Sequence, residues 1–75
     1  MKQPVRIFSH GDCYVDSYYN GGAYEIGIAN VGSVFLQGDD ASAWRAEFDS
    51  ADAILDPIRC EACKVDLVIR YIEVM

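Results

Sequence analysis

Two runs of alternating side chains, residues 13–19 and 24–29, flank Asn20-Gly21-Gly22, and no other feature of the chain restricts its fold as much. A type I′ turn needs φ > 0 at both central positions, which asparagine and glycine tolerate, so the pattern predicts a β-hairpin. Along the first run Cys13, Val15 and Ser17 share one face while Tyr14, Asp16 and Tyr18 share the other; along the second, Tyr24, Ile26 and Ile28 point together. A turn at Asn20-Gly21 or at Gly21-Gly22 sets Val15 on the same face as Ile26 and Ile28. The second register is preferred, because the first places Asp16 opposite Glu25 and like charges repel across a ladder.

The flanking segments extend this hairpin. Residues 5–8 form a short strand closed by Ser9-His10-Gly11-Asp12, and Asn30-Val31-Gly32-Ser33 forms a second turn. Residues 33–37 form a further strand, where consecutive Val34, Phe35 and Leu36 imply burial on both faces. Gly38-Asp39-Asp40 stops that strand and opens a helix over residues 41–55. Either aspartate can accept from the first-turn N–H groups and favours the positive end of the helix dipole. Trp44, Phe48, Ala51 and Leu55 make one apolar stripe; Arg45, Asp49, Asp52 and Asp56 make a polar stripe beside it, with Arg45 and Asp49 spaced to pair. Pro57 ends the helix. Residues 58–64 connect to a last strand over 65–74, apolar on both faces and therefore central. The expectation is an α+β fold, ordered ββββαβ, or βββαβ if the first strand is not separate. It has a four- to five-stranded, mostly antiparallel sheet with one amphipathic helix packed on one face, and residues 1–75 form a single domain.

A chain of 75 residues has a thin core, worth roughly 3–5 kcal/mol net without a staple, so a metal, a disulfide or oligomerisation would add to it. Met1-Lys2-Gln3-Pro4 leads into no apolar h-region, and no run approaches the roughly 20 apolar residues that cross a bilayer. Three cysteines suit a reducing, cytoplasmic setting better than a secreted disulfide framework. The net charge is −6. Asp39, Asp40, Glu47, Asp49, Asp52 and Asp56 against Arg45 alone supply much of it. Such a surface repels nucleic-acid phosphates and suits a basic protein partner, or it serves only as a solvated helix face.

The only histidine and the three cysteines fall into two x₂-spaced pairs, His10/Cys13 and Cys60/Cys63. Two side chains from one tight turn can share a tetrahedral ion, so His10, Cys13, Cys60 and Cys63 form a candidate structural zinc quartet if the sheet brings the two turns together. Against it, the pairs lie far apart in sequence, no glycine eases the turn after Cys63, and Cys13 has core parity. The alternatives are reduced structural cysteines, which need no cofactor, or a Cys60–Cys63 disulfide. A thioredoxin-like redox role needs the motif at a helix N-terminus, and here it is expected to follow a helix and lead into a strand.

Nothing in the chain spells an enzyme. There is one histidine, no triad motif and no phosphate loop, since Gly21-Gly22 turns a hairpin rather than opening a helix. The tyrosines point elsewhere. Tyr14 and Tyr18 share a face with Asp12, Asp16 and Glu25, an acid–tyrosine checkerboard that is exposed if the helix covers the opposite face. Tyrosine gives contact area at small entropic cost, and surrounding charge steers a basic partner; the plainer reading is strand tyrosines with wet hydroxyls.

The leading expectation is a non-enzymatic protein-binding module docking Asp12, Tyr14, Asp16, Tyr18, Glu25, Asp49, Asp52 and Asp56 on a basic protein site, without direct nucleic-acid or membrane binding. In size, charge and layout, though at no specific residue, the chain resembles inhibitors that phages and mobile elements encode, including anti-CRISPR proteins that imitate the charge of DNA. That likeness would place it in a host cytoplasm. A zinc-stapled interaction domain and a homo-oligomeric subunit, such as a homodimer, are the alternatives.

Overall fold

The computed structural model describes residues 3–73. Four strands, β1 (Val5–His10), β2 (Cys13–Tyr18), β3 (Ala23–Ile28) and β4 (Gly32–Gln37), form an antiparallel meander in the order β1-β2-β3-β4. Two helices follow, α1 (Asp39–Asp52) and α2 (Pro57–Glu73). The class is α+β, with the sheet as one layer and the helices as the other. Phe8, Cys13, Val15, Tyr24, Ile26 and Leu36 of the sheet meet Ala41, Trp44 and Phe48 of α1 and Leu67, Val68 and Ile72 of α2 in one buried cluster. All these strand residues lie on one face, so both helices cover that face.

The central hairpin adopts the register that charge repulsion argued against. Asp16 pairs with Glu25 and Val15 with Ile26. The turn is not a two-residue I′ turn but a 3₁₀ turn over Tyr19–Gly21, with Tyr19, Asn20 and Gly21 at φ 53, 57 and 96 and the Gly22 amide donating to the carbonyls of Tyr18 and Tyr19. Repulsion between the opposed carboxylates is relieved locally: Arg6 forks onto Asp16, and two tyrosine hydroxyls donate to Glu25. β4 is an edge strand, and Phe35 is 47% exposed instead of buried on a second face.

The largest correction concerns the C-terminal segment. The last strand expected over 65–74 is helical through Glu73, with Val74 outside the described residues, and the sheet stops at four strands. Pro57 opens α2 rather than merely ending α1. The Asp56 carboxylate accepts from the amides of Ile58 (2.9 Å) and Arg59 (3.4 Å), and Pro57 sits at the first helical position, where a missing N–H costs nothing. The apolar residues that suggest a strand buried on both faces obey a helical period instead: Leu67, Val68 and Ile72 are buried and Ile69 and Tyr71 half-buried, whereas Asp66, Arg70 and Glu73 are exposed. β-Propensity yields to the cap and the period.

α1 is shorter than expected. It ends at Asp52, so Leu55, 97% exposed, drops out of the stripe that buries Trp44, Phe48 and Ala51. Gly38 is its N-cap, at φ 63 and ψ −135, a conformation that favours glycine. Neither Asp39 nor Asp40 makes a side-chain cap bond; both sit in the first turn, where the dipole favours them.

Candidate binding face

Among the described residues no element covers the sheet face opposite the helices, and its register arranges side chains in rows across the strands. One row runs Arg6, Asp16, Glu25, Phe35, one residue from each strand. Beside it lies Ser9, Tyr14, Gly27, Ser33. Adjacent residues in a row are about 5 Å apart, so neighbouring side chains touch.

They do so as a connected network. The Arg6 guanidinium donates to both Asp16 oxygens, at 2.8 and 3.3 Å, and lies 4.7 Å from the centre of the Tyr14 ring. Tyr14 donates to Glu25 at 2.8 Å and Tyr18 to its other oxygen at 3.1 Å. The edge-to-face contact of Tyr18 with Phe35, 5.3 Å between centroids, and a tilted contact with Tyr19 complete the set. Tyr14 lies flat over Gly27, where a Cβ would stand 2.4 Å from its ring and hydroxyl, so only glycine lets the ring reach Glu25 undisturbed. The hydrogen bond to Glu25 is the main reason that both the Tyr14 and Tyr18 hydroxyls ionise above the usual tyrosine range.

Of the residues expected to dock, Tyr14, Asp16, Tyr18 and Glu25 are brought together on this face, and Asp12 is exposed in the β1–β2 turn beyond its edge. The others lie elsewhere, among partners of their own. Asp49 accepts from Arg45 at 2.9 Å, Asp52 pairs with Lys64 of α2, and Asp56 caps α2. The Lys64 hydrogen bond holds the Asp52 carboxyl below its usual range. Glu47 accepts from Tyr71 at 3.0 Å and lies 3.7 Å from Arg70. The acidic stretch is thus largely met by intramolecular cations and one cap, although Asp49 and Asp52 remain exposed.

The four metal-ligand candidates are not assembled. Cys13 is buried in the core, where burial pushes its thiol up. Cys60 and Cys63 lie one turn apart on α2, not in a knuckle turn, and all three cysteines are free. Nδ1 of His10 is 2.6 Å from a Glu61 oxygen. Among the described residues no three His, Cys, Asp or Glu side chains gather to hold one ion. His10 and Glu61 instead line a cleft of about 660 Å³ with Pro57, Ile58, Ala62, Val65 and Asp66.

Sequence reasoning missed Arg6, Phe35 and Tyr19 as members of the face. No sequence signal places Arg6 there: a bulge shifts the pairing between Arg6 and Phe8 and sends two residues of equal parity to opposite faces. No family model, curated protein or solved structure matches this chain. No helix among the described residues is long and apolar enough to cross a membrane.

Proposed function

We propose that the chain is a small non-enzymatic protein-binding module that docks through the uncovered sheet face onto a basic site of a partner protein. One observation carries the reading: among the described residues an entire face of the sheet has no covering element, and it presents Tyr14, Tyr18 and Phe35 around the carboxylate of Glu25. Rigid aromatic side chains held by one another and by hydrogen bonds lose little further entropy on docking. A net charge of −6 raises the rate of encounter with a basic partner. A module of this kind would act as an inhibitor, of the sort phages and mobile elements encode, by occupying a basic site that otherwise takes nucleic acid. The acids of α1 contribute to long-range attraction, and the sheet face makes the contact.

The test is capture from a lysate of the encoding organism with three baits. Wild type and Asp49→Lys should retain the same basic protein, whereas Glu25→Lys should lose it with its helical circular dichroism intact. Retention by Glu25→Lys, or loss with Asp49→Lys alone, would move the contact to the helices.

A second reading, a homodimer, is favoured by two exposed aliphatic side chains three residues apart, Leu55 (97% exposed) and Ile58 (80% exposed), of which Ile58 lines the His10–Glu61 cleft. Sedimentation of wild type against Leu55→Asp decides it: a dimer that dissociates in the variant supports self-association there.

A further inference from the structure

We infer that the half of the open face built by Tyr18, Glu25 and Phe35 is an arginine-binding site, which takes one guanidinium from a basic segment of the partner protein. The inference rests on the docking reading above and names the group recognised.

The face contains its own template. In the row Arg6, Asp16, Glu25, Phe35, the first half is complete: a carboxylate is forked by a guanidinium that lies over an aromatic ring. The second half repeats the carboxylate and the aromatic wall without the cation. Glu25 is half-buried and belongs to no ion pair among the described residues. Two tyrosine hydroxyls use part of its accepting capacity, which is about four hydrogen bonds for a carboxylate. Phe35 stands directly across from Glu25, as Arg6 stands across from Asp16, and it is 47% exposed.

Arginine fits this arrangement better than the competitors. Its planar group stacks on an aromatic wall and donates two parallel bonds, and its weak hydration lowers the cost of leaving water; a lysine ammonium has none of these advantages. A methylated ammonium needs rings that enclose it, and here Tyr18 and Phe35 meet edge to face at 70°. A second copy of the chain docking by the same face would oppose Glu25 to Glu25.

The experiment uses the full chain, isotopically labelled and followed by amide chemical shifts at low salt. The probes are a capped Gly-Arg-Gly-Arg-Gly peptide and its lysine counterpart. Shifts should concentrate on Tyr18, Glu25 and Phe35, with the arginine peptide bound about fivefold more tightly than the lysine peptide. Glu25→Gln should weaken the arginine peptide about tenfold and Phe35→Ala about threefold, with less than about a twofold change for Asp49→Asn. Phe35→Ala leaves the hairpin hydrogen bonds intact and keeps the test valid if Glu25→Gln disturbs folding. Equal affinity for the two peptides with shifts still on the sheet face would overturn the arginine site and leave the docking reading standing. Shifts gathered on the acids of α1 and α2 would overturn both.

Discussion

The two faces of the sheet are built from the same strands by opposite means. On the covered face, Val15, Ile26 and Trp44 are wholly shielded from water, and burial of each large apolar side chain is worth about 1.5–3 kcal/mol. On the open face, Arg6, Tyr14, Asp16, Tyr18, Glu25 and Phe35 hold one another by hydrogen bonds, an ion pair and ring contacts, each worth about 1 kcal/mol or less in part-exposed settings. The covered face therefore determines whether the chain folds. The open face is ordered without contributing much to stability, as the proposed docking role requires.

Substitutions should separate the faces by size of effect. Trp44 stacks on Phe48 and meets Tyr24 at a tilt, at ring separations of 5.0 and 4.8 Å. Trp44→Ala should cost about 3–5 kcal/mol in urea unfolding, enough to unfold a domain of this length at ambient temperature. Phe35→Ala on the open face should cost about 1 kcal/mol or less. Equal costs would abolish the distinction. Trp44 Nε1 is buried without a partner among the described residues, so Trp44→Phe should be milder than Trp44→Ala, since it removes an unsatisfied donor along with volume.

Gly27→Ala tests how far order on the open face depends on one close approach. The added methyl meets the far end of the Tyr14 side chain, which can swing away. The expected cost is about 1–3 kcal/mol with the sheet retained and the Tyr14 ring displaced from Glu25. An unchanged stability and unchanged ring shifts would mean that Tyr14 does not lie over Gly27. Smaller still is Asp56→Ala, which removes the cap of α2 on the covered side. It should lower stability by about 1 kcal/mol, with Asp56→Asn recovering most of the loss, as read by thermal unfolding.

The sheet was legible because alternation and turn residues act locally: both faces of the central hairpin, the β3–β4 turn and the stripe Trp44, Phe48, Ala51 follow from them. Three features were not. The apolar residues Leu67, Val68, Ile69, Tyr71 and Ile72 suit a strand buried on both faces as well as a helix, and Asp56-Pro57 stops α1 but is also a cap followed by a first-turn proline for α2. Pairwise repulsion between Asp16 and Glu25 disfavours the observed register, but Arg6 offsets it by reaching Asp16 through a bulge at Ile7 that leaves no mark in the sequence. The metal quartet depended on a turn at Cys60–Cys63, and it dispersed once that turn became helix. Pattern fixed the local faces; long-range partners decided which charges were answered.

The gentlest perturbation is titration of the open face. Tyr14 and Tyr18 donate to Glu25, and both are held protonated beyond the usual tyrosine range, near pH 10. A group whose pKa is raised on folding stabilises the folded state fully below its unfolded value and loses that contribution as pH climbs through the folded value. Wild-type stability should therefore decline above about pH 10, and Glu25→Gln should shrink that decline, because the amide neither accepts as strongly nor repels a tyrosinate. In ultraviolet titration the Glu25→Gln curve should move to lower pH, by a shift that Asp49→Asn does not reproduce. Superimposable curves would mean that the hydroxyls spend their time in water, and the open face would then be a set of separate side chains instead of a prearranged surface.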